Sequence, residues 1–295
     1  MRAVVRRPDA EFVPFTAAAT QLLRARSEWR LPQRFSLSTS FADLSRQIDR
    51  LSERGLGVEV TLYDTEWLLN LDKTATVRRL GDELAERGVV VTVHAPIFDL
   101  NPGSLDPVVR KHTRRCWERA IGVAGALGAR HINFHTGFLP LLPASTLPGW
   151  LALSLETWER TVELAGDAGL VLLLENMFEP SPQVLLDLRE QLLARHVGFT
   201  LDVAHVYIYG SVAPEVWWQA LGEGIREVHL HDTDTFSDDH LPIGEGALDW
   251  RRVFADLFRY APNAIKVIEM PVEAALQSLA RIRAGGYGDY QLELL

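Results

Sequence analysis

The chain has 295 residues, 47% hydrophobic and 23% charged, with a formal net charge of −9 at pH 7. That balance belongs to a folded globular protein and excludes disordered and collagen-like classes, and a chain this long buries a large core without disulfide staples. The negative charge repels a polyanion, and the basic residues lie scattered on helical faces, as in Arg110, Lys111, Arg114 and Arg115, so nucleic acid is disfavoured as a partner.

The single cysteine, Cys116, has no partner for an internal disulfide and sits in an apolar helical run, which fits a reducing cytoplasm and a buried thiol. No apolar run reaches the roughly 18 residues of a membrane span, and the Arg-rich start lacks the apolar segment of a signal peptide. The expectation is a cytoplasmic protein without a membrane segment.

In chain order, residues 1–33 carry a helical pattern over Thr16–Trp29 that belongs to no repeating unit. It is expected to pack on the main fold or to mediate a homo-oligomer. From residue 34 onward, short apolar or β-branched runs alternate with longer helical patterns. The strand candidates are Arg34–Ser40, Gly57–Leu62, Val89–His94, His131–His135, Val171–Glu175, Val197–Asp202, Glu227–His231 and Ala264–Glu269. Between them, helical periodicity marks Ala42–Glu53, Thr74–Glu86, Asp106–Leu127, Leu151–Ala168, Pro182–Ala194 and Val272–Ala284. Gly55, Gly88, Gly128 and Gly169 stand where a helix must reverse into a strand. Eight such units predict an α/β fold, a (β/α)8 TIM barrel over residues 34–295 as one domain with an extra N-terminal helical segment. An open doubly wound sheet would carry a glycine fingerprint after its first strand, where this chain reads Ser38-Thr39-Ser40-Phe41.

Histidines and acids recur at the ends of these strands or just beyond them: His94, His135, Glu175, Asp202, His205, His229, Asp238, His240 and Glu269. A barrel of parallel strands gathers its strand ends around one rim, which is how ligands far apart in sequence converge on a metal. The runs ending in Glu175 and Glu269 are apolar until their final acid, and an unpaired buried carboxylate is costly. Glu227, His229 and His231 share one strand face by the period of two, an expensive face unless wetted or metallated. His131 and His196 open strands and His112 lies in a helix, so these three read as structural. His231, Asn176 and Asp232 read as supporting or substrate-contacting groups. Rim aromatics, Phe98, Phe138 and Tyr207 among them, suit contact with a small organic ligand, although loop packing accounts for many such residues.

At these residues the chain resembles the xylose-isomerase-like barrel superfamily, which includes sugar-phosphate isomerases and epimerases and the endonuclease IV group. The resemblance spans about residues 34–284 and is carried by VHAP (93–96), NFHTG (133–137), LLLEN (172–176), LDVAH (201–205), VHLHD (228–232), DDHLPIGEG (238–246) and VIEM (267–270). In the isomerases it implies one divalent ion, Mn, Mg, Co or Zn, held by Glu175, Asp202, His229 and Glu269, with Glu175 and Glu269 moving a proton beside a metal-bound carbonyl and hydroxyl. In the endonuclease IV group it implies up to three zinc ions on all nine rim residues. The first expectation is therefore a metal-dependent sugar or sugar-phosphate isomerase or epimerase. The alternatives are a multi-metal hydrolase of a small phosphodiester and a non-catalytic metal- or ligand-binding barrel.

Overall fold

The computed structural model describes residues 35–70, 74–141, 143–192, 197–285 and 287. Residues 1–34, which include the helix expected over Thr16–Trp29, lie outside the described residues, as does His196.

Eight strands, β1 (Phe35–Ser40), β2 (Gly57–Thr61), β3 (Val91–His94), β4 (His131–His135), β5 (Val171–Glu175), β6 (Gly198–Asp202), β7 (Ile225–Leu230) and β8 (Ile265–Ile268), form a closed barrel in sequence order. Every pairing is parallel, including β1 with β8. The helices are α1 (Phe41–Glu53), α2 (Thr65–Leu69), α3 (Thr74–Glu86), α4 (Pro107–Ala126), α5 (Leu147–Asp167), α6 (Gln183–Gln191), α7 (Val203–Tyr209), α8 (Pro214–Leu221), α9 (Trp250–Tyr260) and α10 (Val272–Ala284). None of the described helices is long and apolar enough to cross a membrane.

Gly128 and Gly169, at φ 68° and 72°, take the left-handed turn by which α4 and α5 reverse into the next strand. The apolar layer lies between strands and helices, where Trp117 of α4, Trp158 of α5 and Phe134 of β4 stack with centroids 4.5–5.9 Å apart. Cys116 is buried in that layer.

The inside of the barrel is different. Register sets Glu59 beside Thr92, His94 beside Asn133, His135 beside Glu175, Glu175 beside Thr200, and Asp202 beside His229. Alternation of side chains therefore turns these polar residues into the interior, with Leu173, Ile265 and Val267 among them, and leaves most aliphatic residues to face the helices.

One loop departs most from simple βα geometry. Between β7 and α9, Asp232 accepts hydrogen bonds from the backbone N–H groups of Thr233 (3.0 Å), Gly244 (2.8 Å) and Leu248 (3.2 Å) and from Trp250 Nε1 (2.7 Å). Asp232 and Leu241 also exchange both backbone bonds of an antiparallel bridge. Gly246 packs directly on the Asp232 carboxylate, where a Cβ has no room. One buried acid thus folds the loop that carries Asp238 and His240. Asp232→Ala should leave several donors without an acceptor, at about 1–3 kcal/mol for each that water cannot reach. The expected result is a lower thermal midpoint and faster amide exchange at Gly244 and Leu248; unchanged exchange there would count against this role.

Candidate metal centre

The centre is assembled from strand ends. Glu175 closes β5, Asp202 closes β6, His229 is the penultimate residue of β7, and Glu269 follows β8 directly. His229 Nδ1 lies 3.1 Å from Glu175 Oε1, 2.9 Å from Glu269 Oε2 and 3.9 Å from Asp202 Oδ2. One ligand atom from each of these four residues lies within 4.8 Å of the others. All four are buried, and neither Glu175 Oε1 nor His229 Nδ1 has a hydrogen-bond partner. Three carboxylates and one imidazole nitrogen converging at buried strand ends fit a hard or borderline divalent cation, whose charge offsets their mutual repulsion.

The remaining rim residues join this core at its flanks. His94 Nε2 and His135 Nε2 approach Glu175 Oε2 at 3.2 and 3.5 Å. His205 Nε2 and His240 Nε2 approach opposite oxygens of Asp238 at 3.1 and 3.4 Å. His94, His135 and Glu175 form a second group with metal-ligating spacing, and Asp202, His205 and His231 a third. All nine expected rim residues are thus brought together.

Backbone carbonyls orient three of the imidazoles. Nδ1 of His94 meets Ala95 O at 2.8 Å, that of His205 meets Asn176 O at 2.9 Å, and that of His240 meets Glu269 O at 2.6 Å, so each turns Nε2 toward the cluster. Asn133 Nδ2 donates to Glu175 Oε2, and the Tyr63 hydroxyl donates to Glu269 Oε1 at 3.4 Å.

Burial alone would hold these imidazoles neutral, but the acids reverse that for most of them. His94 is raised to about 9 by Glu175, His205 to about 10 by Asp202 and Asp238, and His240 to about 9 by Asp238 and Glu269. His135 is the exception, lowered to about 4 by burial despite Glu175. On the acids, burial pushes upward and is overcome: His135 and His229 hold Glu175, and His229 holds Glu269, below the usual carboxylate range. The ligand set is anionic where it would meet a cation.

A cavity of about 610 Å³ opens onto this rim, and its walls include Tyr63, Phe98, Met177, His205, Glu269 and Met270. Of the five residues expected to touch substrate, Phe98 lines the cavity and is 64% exposed. The other four spend their side chains elsewhere. Asn176 uses both ends of its amide on the backbone of Asp202, at 2.9 Å each, and so clamps β5 to β6. Phe138 packs edge-on against Trp150, with centroids 5.7 Å apart, and Tyr207 packs against the apolar core. His231 is buried, with Nε2 3.0 Å from Asp202 Oδ2 and its ring stacked on His240 at 4.0 Å.

Three acids absent from the expected site matter to its architecture. Glu59 and Glu227, fully buried in β2 and β7, face His229 Nε2 at 3.1 and 3.6 Å. Burial pushes Glu59 up to about 7 against the pull of His229, whereas His131 and His229 overcome burial and hold Glu227 at about 2. Buried Glu179 accepts from Thr136 Oγ1 and from the Met177 N–H at 2.7 Å, tying the β4 and β5 loops together. The sequence signal for Glu59 is a lone acid in Gly57-Val58-Glu59-Val60, on the inward face of a short strand.

Comparison with known proteins agrees with this architecture. MJ1311 of Methanocaldococcus jannaschii is 29% identical over 258 residues, covering 84% of this chain and 87% of that protein. Among solved structures, a D-tagatose 3-epimerase-like protein is 27% identical with a TM-score of 0.72, over 85% of this chain and 96% of its own. The TTHB071 protein from Thermus thermophilus, solved after soaking with ZnCl2, is 30% identical with a TM-score of 0.72, over 85% and 97% of the two chains. The family model for xylose isomerase-like TIM barrels matches residues 48–285, most of the closed barrel, and the chain belongs to that family.

Proposed function

We propose that the protein is a divalent-metal-dependent sugar isomerase or epimerase in which Glu175 and Glu269 transfer the proton. The observation that carries this reading is the convergence of these two carboxylates, from β5 and from the end of β8, on one His229 nitrogen at 3.1 and 2.9 Å. The likeness to a D-tagatose 3-epimerase-like protein supports the reaction class, and a family relative soaked with ZnCl2 supports trying divalent ions.

Glu175, Asp202, His229 and Glu269 would hold the ion, which when bound supplies Lewis acidity to a carbonyl and its neighbouring hydroxyl. The residues of the chain do the rest. A carboxylate beside the acidified carbon accepts its proton and becomes a carboxylic acid. For isomerisation that group returns the proton to the adjacent carbon; for epimerisation the carboxyl group on the other face delivers one, and so enters the cycle protonated. Tyr63 restrains Glu269 through its hydroxyl, while Phe98 and Met177 give the cavity an apolar wall suited to the C–H face of a sugar.

The two flanking groups, His94–His135–Glu175 and Asp202–His205–His231, favour a second reading, a phosphodiester hydrolase that uses additional metals. Metal analysis and paired variants separate the two. A one-metal isomerase should lose about 10³-fold in turnover of a ketohexose panel with Glu175→Gln or Glu269→Gln. His94→Ala and His135→Ala should then stay within about tenfold of the parent. Three ions per chain, equal losses from all four variants and cleavage of bis(p-nitrophenyl) phosphate would establish the hydrolase instead.

Loading should also release protons. Against the pull of burial, Glu175, Glu59 and Glu269 raise His229 well above the ordinary imidazole range, and an imidazolium must lose its proton before it can bind an ion. Divalent-ion affinity should therefore rise with pH across the neutral range. Calorimetry in buffers of different ionisation enthalpy should show proton release at pH 7; zero release would contradict coordination by His229.

A further inference from the structure

His229 is turned the opposite way from its neighbours. His94, His205 and His240 each give Nδ1 to a backbone carbonyl and Nε2 to the cluster. His229 presents Nδ1 to Glu175 and Glu269, and its Nε2 faces Glu59 Oε1 at 3.1 Å. No carbonyl takes that role, because a residue within a strand has its neighbouring carbonyls committed to the sheet. A side chain from across the barrel must do it instead.

Glu59 is placed for this and for little else. It sits mid-strand in β2, one inward position below Thr61, which pairs with His94 at the rim. It is completely buried, and its other oxygen, Oε2, has no hydrogen-bond partner among the described residues. A barrel interior normally fills such a position with an aliphatic side chain, and a buried carboxylate is costly unless paired. Glu227 lies 3.6 Å from the same nitrogen and 3.7 Å from His131 Nδ1, and neither of its oxygens makes a hydrogen bond. It adds charge without fixing direction.

We propose that Glu59 is a positioning residue for the metal centre: it accepts the Nε2–H of His229 and so fixes the tautomer that leaves Nδ1 bare for a divalent ion. The role rests on the metal-binding part of the function proposed above and not on the reaction catalysed. Its test therefore needs no substrate. Carboxylates behind metal-binding imidazoles are worth roughly 10–100-fold in affinity.

The experiment is chelator competition with Zn²⁺ on the full chain, combined with ¹⁵N-histidine NMR of the zinc-loaded protein. Glu59→Leu should weaken binding about 10–100-fold and abolish the low-field Nε2–H resonance of His229. Glu59→Gln, whose amide oxygen still accepts, should recover part of the affinity and keep a shifted resonance. Glu227→Gln, which removes charge without removing the acceptor of His229 Nε2–H, should cost less affinity than Glu59→Leu and leave the Nε2–H resonance of His229 in place. If Glu59→Leu does not fold, Glu59→Gln carries the test, with an intermediate loss and a shifted resonance expected. Parent-like affinity and an unmoved resonance in the folded Glu59 variants would overturn the positioning role alone. A parent protein that binds no Zn²⁺ would overturn the metal reading and this role together.

Discussion

Everything in this molecule turns on the convergence of Glu175, Asp202 and Glu269 on one point inside a closed barrel. Three carboxylates so close and so buried repel one another strongly, and the fold tolerates them only by surrounding them with positive or donating groups. His229 faces all three. Asn133 donates to Glu175, His231 approaches Asp202 and Tyr63 donates to Glu269. Each acid arrives with its own partner, so the strand ends form an electrostatic unit rather than a set of separate ligands.

That unit explains why the surrounding structure is so heavily cross-linked by polar contacts. Asn176 locks the end of β6 to the end of β5, and the same residue's carbonyl orients His205. Asp202 caps α7 by accepting the His205 N–H at 2.8 Å, so one acid both starts a helix and faces the centre. Asp232 folds the loop that brings Asp238 and His240 back over the rim. A displacement at any of these joints would separate charges that are stable only together.

The barrel was legible because its period is simple. All eight strand runs lie within two residues of their expected starts and ends, and β4 and β5 match throughout. The rim was legible because an apolar run ending in one acid has few structural explanations, as at Glu175 and Glu269. What escaped reading has physical causes. Helix α7 begins on the residue after the one that ends β6, leaving no loop to mark a boundary. Helix α9 shows its spacing at Trp250, Val253, Phe254 and Leu257, but follows a long polar loop that draws attention to its ligands instead. Phe138 and Tyr207 misled because an aromatic on a loop packs inward as readily as it faces a ligand. Glu59 was missed because a single acid within a strand looks like a solvent-facing residue until the register places it inside.

The ligand set does not by itself determine how many ions it holds, and charge balance shows why. Glu175, Asp202, Glu269 and Asp238 place four negative charges around the rim. One divalent ion at the central four residues offsets half of that charge. Without an ion, the same acids raise His94, His205 and His240 above the ordinary imidazole range, so these three oppose the remaining charge by holding protons. A second or third metal would replace those protons ligand for ligand, since a nitrogen cannot carry both. Protons and additional metals are thus competing solutions to one electrostatic problem.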